Sequence, residues 1–121
     1  MSDSTTTIEQ LKRLVDDFVD ARDWHQFHSP KNLAMSIAIE SAELMEHFQW
    51  VTAECSREFA EKPGRRNQIA EELADVLCYA LAMSNELGLD LATTVRRKMA
   101  KNDEKYPVEQ YRGRYGPEDQ G

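Results

Sequence analysis

Apolar residues recur along this chain at intervals of three and four positions, which is the spacing of amphipathic helices. The first such stretch carries its apolar side chains at Ile8, Leu11, Val15 and Phe18. Thr6 and Glu9 have the spacing of a capping box, so we predict a first helix over about 7–22. The segment RDWHQFHSP breaks the pattern and predicts a loop with four ring side chains, Trp24, His25, Phe27 and His28.

The second apolar stretch begins at a proline. Ser29 suits an N-cap and Pro30 the first helical position, so a second helix is predicted from about 30 to about Trp50. The segment 51–62 is expected to add a short helical piece before Pro63-Gly64 interrupts the chain.

Two further helices complete the pattern. A third is predicted over about 66–87 and ends at Gly88, which suits the position after a helix terminus. Asp90 is expected to cap a fourth helix that ends before Pro107. Because no strand-like alternation occurs in the sequence, we predict an all-α fold, a four-helix bundle.

The length of 121 residues fits one compact domain. We therefore predict a single domain over 1–121, with its core at about 7–107. The remaining segment, 108–121, is rich in glycine and charge and is predicted to be a tail that lies on the surface or reaches across a partner subunit.

The charge balance excludes some classes of partner. A net charge of −7 and a pI near 4.9 argue against nucleic-acid binding, because phosphate backbones attract basic surfaces. No apolar run approaches the roughly 20 residues of a membrane span, and the N-terminal MSDSTTTIEQ lacks the blocks of a secretory signal. Cys55 and Cys78 form no metal-binding or redox motif, so we expect two ordinary thiols in a cytoplasmic protein.

Two pairs of acids lie beside the apolar faces of the second and third helices. With about 100° per residue, Glu40 borders a sector of five apolar residues, Leu33, Ile37, Leu44, Phe48 and Val51. Glu43 lies about 60° to the other side. Glu72 and Asp75 have the same layout on the third helix, next to Ile69, Val76, Met83 and Leu87.

Four carboxylates directed toward one bundle interior would repel each other unless protons or cations compensate them. A divalent metal is the simplest compensation, and oxygen ligands favour Mg²⁺, Mn²⁺ or Ca²⁺ over zinc. The alternative is that each pair is an ordinary solvated helix face, as isolated acid pairs usually are. A di-iron site of the ferritin type is a poor alternative, because neither pair has the Glu-x-x-His motif.

The sequence resembles the MazG-like all-α nucleoside triphosphate pyrophosphatases, and most closely their dCTP pyrophosphatase branch. The resemblance is carried by RDWHQFHSPKNLAMSIAIESAELMEHFQW, EELADVLCYAL and KMAKNDEKYPV, and it spans about residues 8–108. It implies hydrolysis of a nucleoside triphosphate between the α- and β-phosphates by a homo-oligomer, commonly a tetramer built as a dimer of dimers. It also implies that Mg²⁺, or Mn²⁺ in its place, is bound by the matching acids, Glu40, Glu43, Glu72 and Asp75.

The resemblance extends to the substrate. Trp24, Trp50 and Tyr79 match aromatic positions that line the nucleobase pocket of the dCTP branch, although buried aromatics in small bundles are more often core residues. Lys98 and Asn102 match its K-x-x-x-N element. They lie four residues apart on one face of the predicted fourth helix, where they could contact phosphate or sugar, or could equally be surface residues.

The chain departs from that branch at Val15, where an animal relative has a histidine that faces the pocket. His25 and His28 are candidates to supply the missing polar contact from the loop, although loop histidines are more often solvated or capping. The leading hypothesis is therefore a house-cleaning enzyme that acts on dCTP or a modified pyrimidine nucleotide. The alternatives are a catalytically silent nucleotide-binding bundle and a purely structural helical oligomer.

Overall fold

The structure is a computed structural model that describes residues 1–114. Its elements, in chain order, are α1 (Ile8–Ala21), a 3₁₀ turn (His25–Phe27), α2 (Pro30–Glu46), α3 (Ala53–Ala60), α4 (Pro63–Leu87), α5 (Leu91–Lys105) and α6 (Val108–Tyr111). Within these residues there is no strand, so the all-α prediction is confirmed. The four predicted main helices correspond to the four longest, α1, α2, α4 and α5, and the short helices α3 and α6 bring the described total to six.

The chain divides into two compact units, Met1–Gly88 and the part that begins at Leu89. In the first unit α4, with 25 residues, is the longest helix and packs against α2, α1 and α3. The buried apolar side chains lie on α1, α2 and α4: Val19, Leu33, Leu81 and Ala82. Asn85 of α4 also donates its Nδ2 hydrogen to the carbonyl oxygen of Lys12 at 2.9 Å, which joins α4 to α1. This four-residue buried core is small for a unit of this length.

The capping box of α1 lies one residue later than predicted. Thr7, not Thr6, is the N-cap, because Thr7 has the extended backbone of a cap and its side chain accepts a hydrogen bond from the Gln10 amide at 3.1 Å. The Thr7 amide in turn donates to Gln10 Oε1 at 2.7 Å. Glutamine at this position serves as well as the glutamate that the prediction used, Glu9.

The predicted start of α2 is confirmed, and two other helix ends differ from prediction. Ser29 Oγ accepts from the Asn32 amide at 3.2 Å, and Pro30 is the first helical residue. The helix ends at Glu46 rather than near 50, because Thr52 caps a new helix, α3. Helix α4 begins at Pro63 rather than 66, since proline at the first position starts a helix without losing a hydrogen bond. Its end at Gly88, with a left-handed φ of 61°, is as predicted.

The second unit begins with the predicted cap: Asp90 Oδ1 accepts from the Thr93 amide at 3.0 Å. Helix α5 ends at Lys105, and the rings of Tyr106 and Tyr111 then meet edge to face at 5.1 Å. Helix α6 occupies the start of the segment that was predicted to be a tail, and 115–121 lies outside the described residues.

None of the described helices combines the length and the apolar character that crossing a membrane requires.

Candidate functional site

Three glutamates from two packed helices converge. Glu40 and Glu43 are one turn apart on α2, and Glu72 lies on α4, the helix against which α2 packs. One carboxylate oxygen from each lies within 4.8 Å of the others, so the three together could hold a metal ion. Three of the four acids that the sequence places beside the apolar faces of two helices thus meet in one cluster.

The electrostatics of the cluster are unfavourable for the chain alone. Desolvation, followed by hydrogen bonding and repulsion from Glu43, raises the pKa of Glu40 to about 7. The pKa of Glu72 is also raised, first by desolvation and then by Glu43. The Oε2 atoms of Glu40 and Glu72 are buried and have no hydrogen-bond partner among the described residues. Buried carboxylate oxygens without partners are costly, so the cluster favours protons or a cation.

These observations fit a hard divalent cation. The available donors are all carboxylate oxygens, which Mg²⁺, Mn²⁺ and Ca²⁺ prefer, and neither histidine nor cysteine belongs to the cluster. Glu40 and Glu72 also each have an Oε2 atom that is buried without a hydrogen-bond partner among the described residues. The residues present therefore match the kind of ion that the sequence predicted.

Asp75, the fourth predicted ligand, borders the cluster without belonging to the group within 4.8 Å. Its charge contributes to the raised pKa of both Glu40 and Glu72, which places it close to them. It also lines a neighbouring cavity. Asp75 is therefore the residue that joins the carboxylate cluster to the cavity.

This cavity has a volume of about 460 Å³, which lies in the range of about 300–1,000 Å³ that small-molecule sites have. Helix α1 contributes apolar side chains, Leu14, Val15, Phe18 and Val19. The loop after α1 contributes Trp24 and His28, and α4 contributes Cys78, Tyr79 and Ala82. The structure thus brings two predicted nucleobase contacts, Trp24 and Tyr79, to one apolar cavity next to the acids.

The aromatic wall of the cavity is held in place. The rings of Phe18 and Trp24 meet edge to face at 5.7 Å, and the Arg22 guanidinium lies 3.7 Å from the centre of the Phe18 ring. On the other side, desolvation and then the charges of Glu40 and Asp75 raise the pKa of Tyr79. Tyr79 therefore keeps its hydroxyl proton at neutral pH and can donate a hydrogen bond.

The loop that carries Trp24 is fixed by its own hydrogen bonds. The Trp24 amide donates to the Val19 carbonyl at 3.0 Å, and Asn32 Nδ2 donates to the Phe27 carbonyl at 2.9 Å. His25 Nδ1 lies 2.6 Å from Glu86 Oε1 of α4. The loop is thus tied to α1, α2 and α4 at once.

Three predicted site residues are not among those that form the acidic cluster or line the cavity. Trp50 is 89% exposed and does not line the cavity, since α2 ends before it. Lys98 and Asn102 lie on α5 in the second unit, where Asn102 Nδ2 donates to Met99 Sδ at 3.7 Å. Their predicted contacts with substrate stay predictions.

Other residues of the cavity were not assigned to it from the sequence. Phe18 belongs to the apolar face predicted for the first helix, and its spacing does not distinguish a core position from a cavity wall. Cys78 adjoins Tyr79, and desolvation and then the charge of Asp75 raise the pKa of its thiol. His28, by contrast, was a candidate polar contact of the base pocket from the sequence, and it lines the cavity, whereas the other candidate, His25, is not among the lining residues.

The fold and the site together define a class: a strand-free helical protein, as far as residue 114, with an acidic cluster beside an aromatic cavity. The chain belongs to the MazG-like family, whose sequence model matches residues 35–115. This confirms the resemblance on which the sequence analysis relied.

Individual relatives agree with the family. The chain is 40% identical to bovine (Bos taurus) dCTP pyrophosphatase 1 over 110 residues, which are 91% of this chain and 65% of the bovine protein. It is 39% identical to the human (Homo sapiens) dCTP pyrophosphatase 1 over 102 residues, 84% of this chain and 60% of the human protein. The chain thus spans less than two thirds of the length of these relatives. A crystal structure of a pyrophosphatase from Archaeoglobus fulgidus is also similar, with 40% identity and a TM-score of 0.78 over 88% of this chain and 98% of that one.

Proposed function

We propose that this protein is a Mg²⁺-dependent nucleoside triphosphate pyrophosphatase that hydrolyses dCTP, or a modified pyrimidine deoxynucleotide, to the monophosphate and pyrophosphate. The observation that carries the proposal is the cluster of Glu40, Glu43 and Glu72, joined through Asp75 to the aromatic cavity. A nucleotide suits both parts of this site, because a metal ion at the acidic cluster would bind its triphosphate and the aromatic cavity would stack with its base. The relatives are named dCTP pyrophosphatases, which supports cytosine as that base.

In this proposal the four acids Glu40, Glu43, Glu72 and Asp75 hold Mg²⁺, or Mn²⁺ in its place. When bound, the cation supplies positive charge against the triphosphate oxygens and acidifies water for attack on phosphorus. The carboxylates would fix the position of the ion. A deprotonated acid with an oxygen that does not contact the ion could accept the proton of the attacking water.

The base lies in the cavity between Trp24 and Tyr79. Stacking on an aromatic ring contributes about 1–3 kcal/mol per base and orients the α-phosphate relative to the acids. Trp50 is exposed in the single chain. We include it in the pocket as a side chain that reaches the base at a contact between subunits.

Lys98 and Asn102 complete the proposed substrate site. They lie four residues apart on α5, so both side chains emerge from the same helix face. Lys98 would stabilise the negative charge that develops on the phosphates, and Asn102 would bond a phosphate or the sugar. The family resemblance of the K-x-x-x-N element is the support for both roles.

We further propose a homo-oligomer, a tetramer built as a dimer of dimers. The support is the small buried core together with exposed apolar side chains on the two helices that carry the acids, Met35, Ile39, Met45, Leu73 and Leu77. Large exposed apolar surface is typical of subunit contacts.

Cys55 and Cys78 are both exposed and unpaired, in keeping with a reducing cytoplasm where nucleotide pools are kept.

The proposal is tested by pyrophosphate release. Purified protein is incubated with each deoxynucleoside triphosphate, with Mg²⁺ or with excess EDTA, beside a Glu72→Gln variant. We expect release from dCTP or another pyrimidine nucleotide that requires Mg²⁺ and is lost in the variant. Binding of nucleotide without release would identify a silent binding bundle instead. A protein that neither hydrolyses nor binds nucleotide and shows no metal-dependent thermal shift would be a structural bundle.

A further inference from the structure

Two consecutive arginines at the start of α4, Arg65 and Arg66, differ in their partners. Arg66 Nη1 lies 3.2 Å from Glu61 Oε1, which is an ordinary surface ion pair. No ion pair joins Arg65 to an acid within residues 1–114. Arg65 is exposed, so its charge is available to an anionic ligand.

The Arg65 side chain is held by neutral neighbours and by a histidine. Its Nη1 donates to Gln68 Oε1 at 3.3 Å and lies 3.5 Å from Nδ1 of His47, the residue that ends α2. Its guanidinium carbon lies 5.0 Å from the centre of the Phe59 ring of α3. These contacts hold the guanidinium where the ends of α2 and α3 meet the start of α4. A side chain positioned in advance loses less entropy when it binds a ligand.

Arg65 shares a face of α4 with the residues of the site. The sequence places Arg65, Gln68, Glu72, Asp75 and Tyr79 at intervals of three and four. At about 100° per residue these five positions fall within a sector of about 80°, and Arg65 and Tyr79 lie about 10 Å from Glu72 along the axis, in opposite directions. One helix face therefore carries, in order, a residue of the aromatic cavity, the acids and a cation.

The end of α2 joins Arg65 to the acids from the other side. Glu43 and His47 are four residues apart, so they lie on the same side of α2. Desolvation and then Glu43 raise the pKa of Glu72, whereas the positive charge of protonated His47 acts in the opposite direction. His47 is thus close enough to Glu72 for its charge to act there, and it also contacts Arg65.

The order of groups on this face matches the order of groups in a nucleoside triphosphate. With the base in the cavity and the α-phosphate beside the acids, the β- and γ-phosphates extend past the acids, away from Tyr79. Arg65 lies on that side. A guanidinium presents a planar set of N–H donors that matches the oxygens of a phosphate, and its charge strengthens each hydrogen bond.

We propose that Arg65 is a substrate-binding residue whose guanidinium contacts the β- and γ-phosphates, the part of the nucleotide that leaves as pyrophosphate. This inference rests on the proposed function and assigns a contact at the end of the substrate opposite to the base. It also predicts a distinction between the two products, because pyrophosphate keeps the contact with Arg65 and dCMP lacks it.

Three substitutions test this role. Arg65→Gln removes the charge and keeps a polar end, and Arg65→Lys keeps the charge. Arg66→Gln is the matched control, because it removes the same charge from the next residue, which is also exposed and pairs with Glu61 instead. Hydrolysis of isotopically labelled dCTP gives kcat and KM for each protein, and added pyrophosphate or added dCMP gives the inhibition constant of each product.

Arg65→Gln should raise the inhibition constant of pyrophosphate about tenfold and lower kcat/KM for dCTP about tenfold, because hydrogen bonds to a charged group are lost. The inhibition constant of dCMP should stay unchanged. Arg65→Lys should retain most of the affinity for pyrophosphate, and Arg66→Gln should match wild type with both products. Because Arg65 is exposed, the thermal midpoint of each variant should stay close to that of wild type.

An unchanged inhibition constant of pyrophosphate in Arg65→Gln would overturn the inference. Equal weakening of pyrophosphate and dCMP would also overturn it, since this indicates a disturbed site, as would an equal effect of Arg66→Gln, which indicates general attraction by a basic surface. If wild-type protein hydrolyses no nucleotide, the proposed function fails. Calorimetric binding of inorganic pyrophosphate with Mg²⁺ then decides the role of Arg65 separately: weaker binding in Arg65→Gln alone supports it, and equal or absent binding in wild type and variant overturns it.

Discussion

At the scale of single residues, the central feature is Glu40, whose Oε2 atom is buried without a hydrogen-bond partner among the described residues. Desolvation is the first cause of the raised pKa of Glu40, and the repulsion of Glu43, Asp75 and Glu72 follows. The chain alone therefore opposes ionisation at this position, whereas a bound cation favours it. Stability and function make opposite demands on the same side chain.

Glu40→Gln separates the two demands. The substitution removes a charge that a metal needs, so turnover should fall by at least about 100-fold. In EDTA the thermal midpoint at neutral or higher pH should stay level or rise, because the buried repulsion is gone. Calorimetry and pyrophosphate release measure the two effects. Glu46→Gln, an exposed acid of the same helix, is the control and should change neither, and near-normal activity of Glu40→Gln would remove this residue from the metal site.

His25 provides a second residue-scale prediction. Its hydrogen bond with Glu86 is the first cause of its raised pKa, and the charges of Asp16 and Asp20 add to it. Protonated His25 is therefore favoured in the folded state. The stability it contributes is fully present below the ordinary histidine pKa of about 6.5 and is lost as the pH rises through the higher folded value.

The measurement is the thermal midpoint between about pH 6 and about pH 9 for wild type and His25→Gln, both in EDTA. The decrease with pH should be steeper in wild type, since glutamine keeps a polar contact but does not titrate. The titration of Glu40 has the same sign and is common to both proteins, so the difference isolates His25. Parallel curves would show that the contact with Glu86 contributes no pH-dependent stability.

At the scale of elements, the ends of helices were predictable where one residue determines the helix terminus through its own backbone or capping preference. Ser29, Pro30, Gly88 and Asp90 define helix ends through their own backbone preferences, and the structure has each of them in its predicted role. The end of α2 was not predictable in this way. It depends on competition with the cap of α3 at Thr52, which no periodicity reveals.

The site was predictable to a similar extent. The acids have the same layout on two helices, which predicted that Glu40, Glu43 and Glu72 meet. When two apolar helix faces pack together, the residues at the edges of those faces also come together. The place of Asp75 at the cavity depends on side-chain direction. His28 Nδ1 is buried and has no hydrogen-bond partner in the described part of the chain, which could be recognised only once its surroundings were known.

Two helix caps with the same geometry provide a matched test of how α2 supports the site. Ser29 Oγ and Thr52 Oγ1 each accept a backbone amide hydrogen at 3.2 Å, but only Ser29 adjoins a residue of the cavity, His28. Ser29→Ala and Thr52→Ala should each lower the free energy of unfolding by about 1 kcal/mol. Only Ser29→Ala should also raise KM for the nucleotide. Equal kinetic effects of the two substitutions would show that the cap of α2 has no special role in positioning the loop.

At the scale of the whole molecule, large apolar side chains are exposed on the two helices that carry the acids. Ile39 is 56% exposed and Leu77 is 46% exposed, on the same two helices that carry the acids. A contact between copies of the chain would cover such surface and would strengthen the electrostatics of the nearby cluster by excluding water.

Light scattering after gel filtration tests this expectation. The wild-type mass should be a multiple of the 13.9 kDa chain mass, and four copies are expected. Ile39→Glu should shift the mass toward the monomer, because it places a charge in an apolar contact. Lys31→Glu, a larger change of charge on the exposed start of the same helix, should leave the mass unchanged. A concentration-independent wild-type monomer would contradict the proposed assembly.

The most direct test of the proposed activity is hydrolysis of dCTP with Mg²⁺ in ¹⁸O-labelled water. A base held in the cavity beside Asp75 places the α-phosphorus nearest the carboxylate cluster, so water should attack there. We expect the label to appear in dCMP and the pyrophosphate to be unlabelled. Label in orthophosphate, with dCDP as the other product, would mean attack on the γ-phosphorus and would contradict the assignment of this site to a pyrophosphatase.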